Sequence, residues 1–168
     1  LSSAININKA LTLTKAGCDA NVVTARTPGS VDEVILDGNN AVSNVILISA
    51  NNVTVSCLEI KNATGDAVTS VNANPQKTGV VVKNNIVHNA GDEGIQLKRT
   101  DGAIIQYNHV YSTTGDGINI SENTTNGQIR FVYSAAANQD NSTARQPEVG
   151  IRGSGNSFPA QVNNRRVG

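Results

Sequence analysis

The sequence predicts an all-β, single-domain solenoid of stacked coils, and three observations lead there. The first is an internal repeat. Val53–Val68 (VTVSCLEIKNATGDAV), Val80–Ile95 (VVVKNNIVHNAGDEGI) and Ala103–Ile118 (AIIQYNHVYSTTGDGI) superpose with no gap inside the unit. Short β-branched runs broken by Asn and Gly at such a period mark a repeat whose units bury one face only by stacking. The second is alternation within each unit: Val53, Val55 and Ile60; Val80, Val82 and Val87; Ala103, Ile105 and Val110. A period of two places these side chains on one face of a strand. The third is composition, with 38% apolar and only 3% aromatic residues in 168. A narrow tube of Val, Ile, Leu and Ala needs fewer large side chains than a bundle or sandwich core.

Taken along the chain, Ile5–Ile7 and Leu11–Leu13 are the first expected strands, and Lys15–Cys18 a turn. A polar loop is expected near 19–33, around Pro28, Gly29 and Ser30. Val34–Leu36 and Val45–Ile48 follow as strands, separated by the turn signal Asp37-Gly38-Asn39-Asn40. The three clear repeats come next, with a second polar loop near 72–78 that contains Pro75. A weaker copy begins at Ile129-Arg130-Phe131, and its Gly150-Ile151 matches Gly94-Ile95 and Gly117-Ile118. The polar stretch near 135–148 reads as a third loop. No segment has the pattern of a helix or a domain linker.

These strand-turn-strand-Gly-Ile runs, plainest in NNIVHNAGDEGI and YNHVYSTTGDGI, resemble the right-handed parallel β-helix repeat family, the fold of pectate-lyase-like proteins. The resemblance spans about Ile5 to Ile151 and implies a single right-handed parallel β-helix over residues 1–168, here of about six rungs. It implies little about chemistry, because lyases, hydrolases, epimerases, tailspikes and adhesins share the fold.

Equivalent repeat positions in a parallel stack lie about 4.8 Å apart, so each becomes a ladder. Asn85 and Asn108 coincide, with Leu58 below them, and Asn62, Asn89 and Ser112 form another row. Amides at such bends supply partners for backbone groups that a buried turn would otherwise leave unpaired. Asp66, Glu93 and Asp116 form a row of carboxylates, with Asp92 beside it. Like charges that close repel unless a cation intervenes, so this row is a candidate Ca²⁺ site, against the plainer reading of solvated turn residues. Lys61, His88 and Tyr111 form a further row, and Glu59, Ile86 and His109 another. His88 and Tyr111 carry groups suited to proton transfer on a sugar ring. The resemblance adds Lys98 and Arg99, near Asp101, as the place where a lyase carries basic residues. Against catalysis, these residue types are common on ordinary strand surfaces, and a chain with no Trp, three Tyr and two Phe has few platforms for a pyranose face.

Thirteen basic and thirteen acidic residues cancel, which gives no net attraction for nucleic acid. No run approaches the roughly 18 apolar residues of a membrane span. Cys18 and Cys57 fit no metal motif; both follow a strand-like run, which leaves a disulfide and two buried thiols as alternatives. Sequons begin at Asn52, Asn62, Asn119, Asn123 and Asn141, and the chain starts at Leu1 as a processed or excised product would. These features favour a secreted or cell-surface protein. Neither end shows the pattern of a capping helix, which leaves a fragment of a longer solenoid, ends covered by loops, or stacked subunits; of these, self-association through open ends is expected, with Ile5–Leu13 at one end and Ile129–Ile151 at the other. The function expected is an extracellular structural or adhesive solenoid that stacks head to tail and requires no cofactor. The alternatives are a carbohydrate-active enzyme and a non-catalytic carbohydrate-binding module, both with polysaccharide as partner.

Overall fold

In the computed structural model, residues 1–18 and 26–130 are described, together with the strands at 133–135 and 151–153. The chain winds through three parallel sheets in turn. The first sheet holds β2 (Leu11–Thr14), β5 (Val53–Ser56), β9 (Val81–Lys83), β13 (Ile104–Gln106) and β16 (Gln128–Arg130). The second holds β3 (Ile35–Asp37), β6 (Glu59–Ala63), β10 (Ile86–Ala90), β14 (His109–Thr113) and β17 (Tyr133–Ala135). The third holds β1 (Ile5–Ile7), β4 (Ile46–Ile48), β7 (Val68–Ser70), β11 (Ile95–Lys98), β15 (Ile118–Ser121) and β18 (Ile151–Gly153). A two-stranded ladder of β8 (Lys77–Thr78) and β12 (Thr100–Asp101) widens one corner. The described residues contain no helix, and none that is long and apolar enough to cross a membrane.

The solenoid has about four turns rather than about six. The difference lies at the two ends, where further strands extend the sheets beyond the four coils from β2 to β15. β1 precedes the first full coil, and β16 to β18 follow the last. Three expected boundaries also move: Val34 and Val45 fall just outside their strands, and the loop near 72–78 ends in β8. Residues 19–25 and 136–148 of the expected loops lie outside the described residues.

Stacking in register explains why so few large side chains suffice. Ile46, Val68, Ile95 and Ile118 pair in one row of the third sheet, and each is 0% exposed. Leu36, Ile60, Val87 and Val110 make the equivalent row in the second sheet. Apart from Leu36 in the edge strand β3, each such residue is covered by its counterparts above and below, and its burial is worth about 1.5–3 kcal/mol. Between the first and second sheets the chain turns through left-handed residues, Cys57, Asn84 and Tyr107, with φ of 60°, 54° and 55°. After Asn84 and Tyr107 the asparagine that follows closes the bend. Asn85 Oδ1 accepts from the Leu58 N–H at 3.2 Å, while its Nδ2 donates to the Val55 carbonyl at 3.0 Å. Asn108 repeats the pattern one coil on, accepting from the Asn85 N–H and donating to the Val82 carbonyl.

Gly94 shows how closely the coils approach. A Cβ there would lie 2.5 Å from Val110 Cγ1 and 2.7 Å from the Gly117 carbonyl oxygen. Gly94 is therefore a packing requirement, whereas the first repeat carries Ala67 at the equivalent position.

Candidate functional site

The inward positions of the second sheet are Ile60, Val87 and Val110, so the residues flanking them point outward. Pairing then builds two outer rows, Glu59–Ile86–His109 and Lys61–His88–Tyr111. The His88 and Tyr111 rings stack at 4.8 Å with an interplanar angle of 5°, and the His109 ring lies 4.9 Å from Tyr111. His88 Nε2 and Glu59 Oε1 are 3.1 Å apart, and Lys61 Nζ lies 3.7 Å from the same oxygen. Lys61 also reaches Asp37 Oδ2 at 3.7 Å. Glu59 is 1% exposed and His88 8%, which is unusual for charged residues on the outside of a tube.

The segment 26–33 accounts for that burial. The Gly29 N–H donates to Glu59 Oε2 at 2.5 Å. Arg26 Nε donates to Glu33 Oε1 at 2.9 Å, and Arg26 Nη1 donates to the Asn84 carbonyl. The segment thus crosses the outer face of the second sheet. Ile86, on an outward row and outside the inner apolar cluster, is 0% exposed. A disulfide between Cys18 and Cys57, with Cα atoms 6.1 Å apart, ties the chain before this segment to the corner that leads into β6.

Burial, and then the neighbouring His88, lowers the His109 pKa. Burial, and then the Glu59 charge, raises that of Tyr111. Both shifts favour neutral side chains, an imidazole and a phenol beside a buried carboxylate. Glu59, within hydrogen-bond distance of Nε2, fixes the orientation of the His88 ring.

A second polar group forms where the second sheet turns into the third. Oxygens of Asp66, Asp92 and Glu93 lie within 4.8 Å of one another. Asp116 stacks in backbone register, its carbonyl accepting from the Gly94 N–H as that of Glu93 accepts from the Ala67 N–H. Among the described residues, however, the carboxylate that completes the group is that of Asp92. Burial raises the Asp92 pKa, helped by the charge of Glu93 and a hydrogen bond with it, and opposed by Lys98. Asn119 Nδ2 donates to Glu93 Oε1 at 3.0 Å.

The residues singled out in the sequence therefore separate. His88 and Tyr111 meet on the second sheet. Lys98 ends β11 on the third sheet, and Arg99 pins the loop after β7 by donating to Asn72 Oδ1 at 2.6 Å and Asn74 Oδ1 at 3.1 Å. These four do not form one site. Glu59, the centre of the histidine group, was not among the candidates. Its place two residues before Lys61, on an outward row, was the available signal; its roof was not visible in the repeat.

Among the described residues, then, the structure is a four-turn parallel β-helix that carries a Glu–His–Tyr group on the outer face of its second sheet, covered by the segment 26–33. The model of the right handed beta helix region matches residues 22–166, and the chain belongs to that family. No curated protein and no solved structure is significantly similar to it.

Proposed function

We propose that the protein is an extracellular structural β-solenoid that associates end to end with further copies of itself. The observation behind this reading is the state of the first coil. Its inward residues Ile5, Leu11, Leu13 and Leu36 are only partly buried, while Ile46, Val53, Val55 and Ile60, their partners one coil on, are 0% exposed. The large apolar side chains that are exposed among the described residues, Leu1, Val31, Val34 and Ile35, lie at the same end. Among the described residues no strand pairs with the outer edges of β1, β2 and β3, and these edges suit another parallel coil. The Cys18–Cys57 disulfide supports an oxidising, extracellular setting.

The test is negative-stain microscopy and mass photometry across a concentration series. Concentration-dependent oligomers or fibres one solenoid wide are expected, and Leu13→Lys, which puts a charge on the open edge, abolishes them. Monomers at every concentration overturn the reading.

The buried Glu59–His88 pair favours a second reading, an enzyme or binding module acting on polysaccharide. Turnover of uronic-acid polymers that is lost in Glu59→Gln supports the enzyme. Glycan binding without turnover supports the module. No binding and no turnover leaves the pair a structural element.

A further inference from the structure

We propose that the turn between the second and third sheets binds a hard divalent cation of the Ca²⁺ class, clamped across three successive coils by Asp66, Asp92, Glu93 and the amide oxygen of Asn119. This site shares no residue with the open end or the Glu59–His88 pair. Asp66 precedes β7, Asp92 and Glu93 precede β11, and Asn119 lies in β15, so consecutive coils each contribute. The three carboxylates approach within 4.8 Å of one another. The nearby Lys98 offsets part of this charge at Asp92.

An independent observation makes this more than an acidic cluster. Asn119 is 8% exposed, and its Oδ1 is buried without a hydrogen-bond donor. Its amide is held against Glu93 through Nδ2. Glu93 Oε2 is also shielded from solvent and has no hydrogen-bond donor while Asp92 is ionised. Buried acceptors are rarely left unpaired, because each has given up its hydration without a replacement. A proton on one carboxyl can serve one acceptor, whereas a cation serves both orphaned oxygens and neutralises the cluster. Every candidate ligand atom is oxygen, and Ca²⁺ takes six to eight oxygens in flexible geometry. Thiol and imidazole donors, which would favour zinc or copper, are missing from the group.

The experiment is calorimetric titration of the chelator-treated full chain with CaCl₂, with thermal unfolding followed by circular dichroism. One-site binding with a Kd of about 10⁻⁴ M is expected, on the scale of extracellular calcium modules. At about 10 mM Ca²⁺ the melting temperature is then expected to rise by about 5–10 °C. Asp92→Asn, at an exposed position, keeps the fold and abolishes both signals. Asn119→Ala weakens binding at least about tenfold, the scale at which even outer-shell partners matter. Glu93→Gln in chelator melts at or above wild type, because the repulsion is gone, but no longer responds to Ca²⁺. No heat and no melting shift up to 10 mM, or a Ca²⁺ response that survives in Asp92→Asn, overturns the proposal.

Discussion

Asn85 and Asn89 sit four residues apart and carry different loads. Asn85 is fully buried and serves the Leu58 N–H, the Val55 carbonyl and Asn108 together. Replacing it by Ala strands several buried backbone groups, and a loss of about 3 kcal/mol is expected, or about 6–12 °C in melting temperature. Asn89 is exposed, has φ 55° and donates only to Asn62 Oδ1. Asn89→Ala is expected to cost about 1 kcal/mol, chiefly for the left-handed backbone. Urea denaturation of the two variants checks the contrast. The histidine group adds a pH dependence. His109 is held below its ordinary pKa of 6.5, by burial and then by His88, so the unfolded chain binds its proton first. Its contribution to stability is complete above 6.5 and is lost as pH falls through the folded value. Tyr111 acts at the other end: its pKa is raised above 10, so stability holds below 10 and declines as pH climbs through the folded value. Denaturation midpoints from pH 5 to 11 should show both arms, and His109→Gln should remove only the acid one.

At the scale of the element, the repeat made registers legible. Aligned copies place Glu59, Ile86 and His109 together, and Lys61, His88 and Tyr111 together, and the strands pair that way. The asparagine ladder followed from the same alignment. What the repeat could not convey lies where copies differ or leave the strands. The direction of a carboxylate at a turn depends on local backbone and rotamer, so Asp92, not Asp116, joins Asp66 and Glu93. Asn119 reaches Glu93 diagonally between coils, a contact that same-position alignment does not register. The segment 26–33 has no counterpart in the other coils, and with it the burial of Glu59 was hidden. Gly94 gives an element-scale prediction. Gly94→Ala drives a Cβ into Val110 and the next coil's backbone, at a cost of about 1–3 kcal/mol. Gly102, with φ 67° and open space around it, should lose only about 1 kcal/mol as Ala. Urea midpoints separate a steric requirement from a conformational one.

A molecule built from stacked coils is nearly one-dimensional, each turn answering only to its neighbours, and such arrays fray from their ends. The segment 26–33 breaks that rule. The segment leads directly into β3 of the first coil, Gly29 holds Glu59 in the second and Arg26 holds Asn84 in the third, with the disulfide closing the same span. A crosspiece of this kind turns three independent links into one. In native-state hydrogen exchange, amides of β5, β6, β9 and β10 should open together with a common free energy. Reducing the disulfide should split them into separate classes, while β13 to β15 keep their own rates. Cooperativity is thereby distributed unequally along the tube, with one end behaving as a single block and the other as a series of steps.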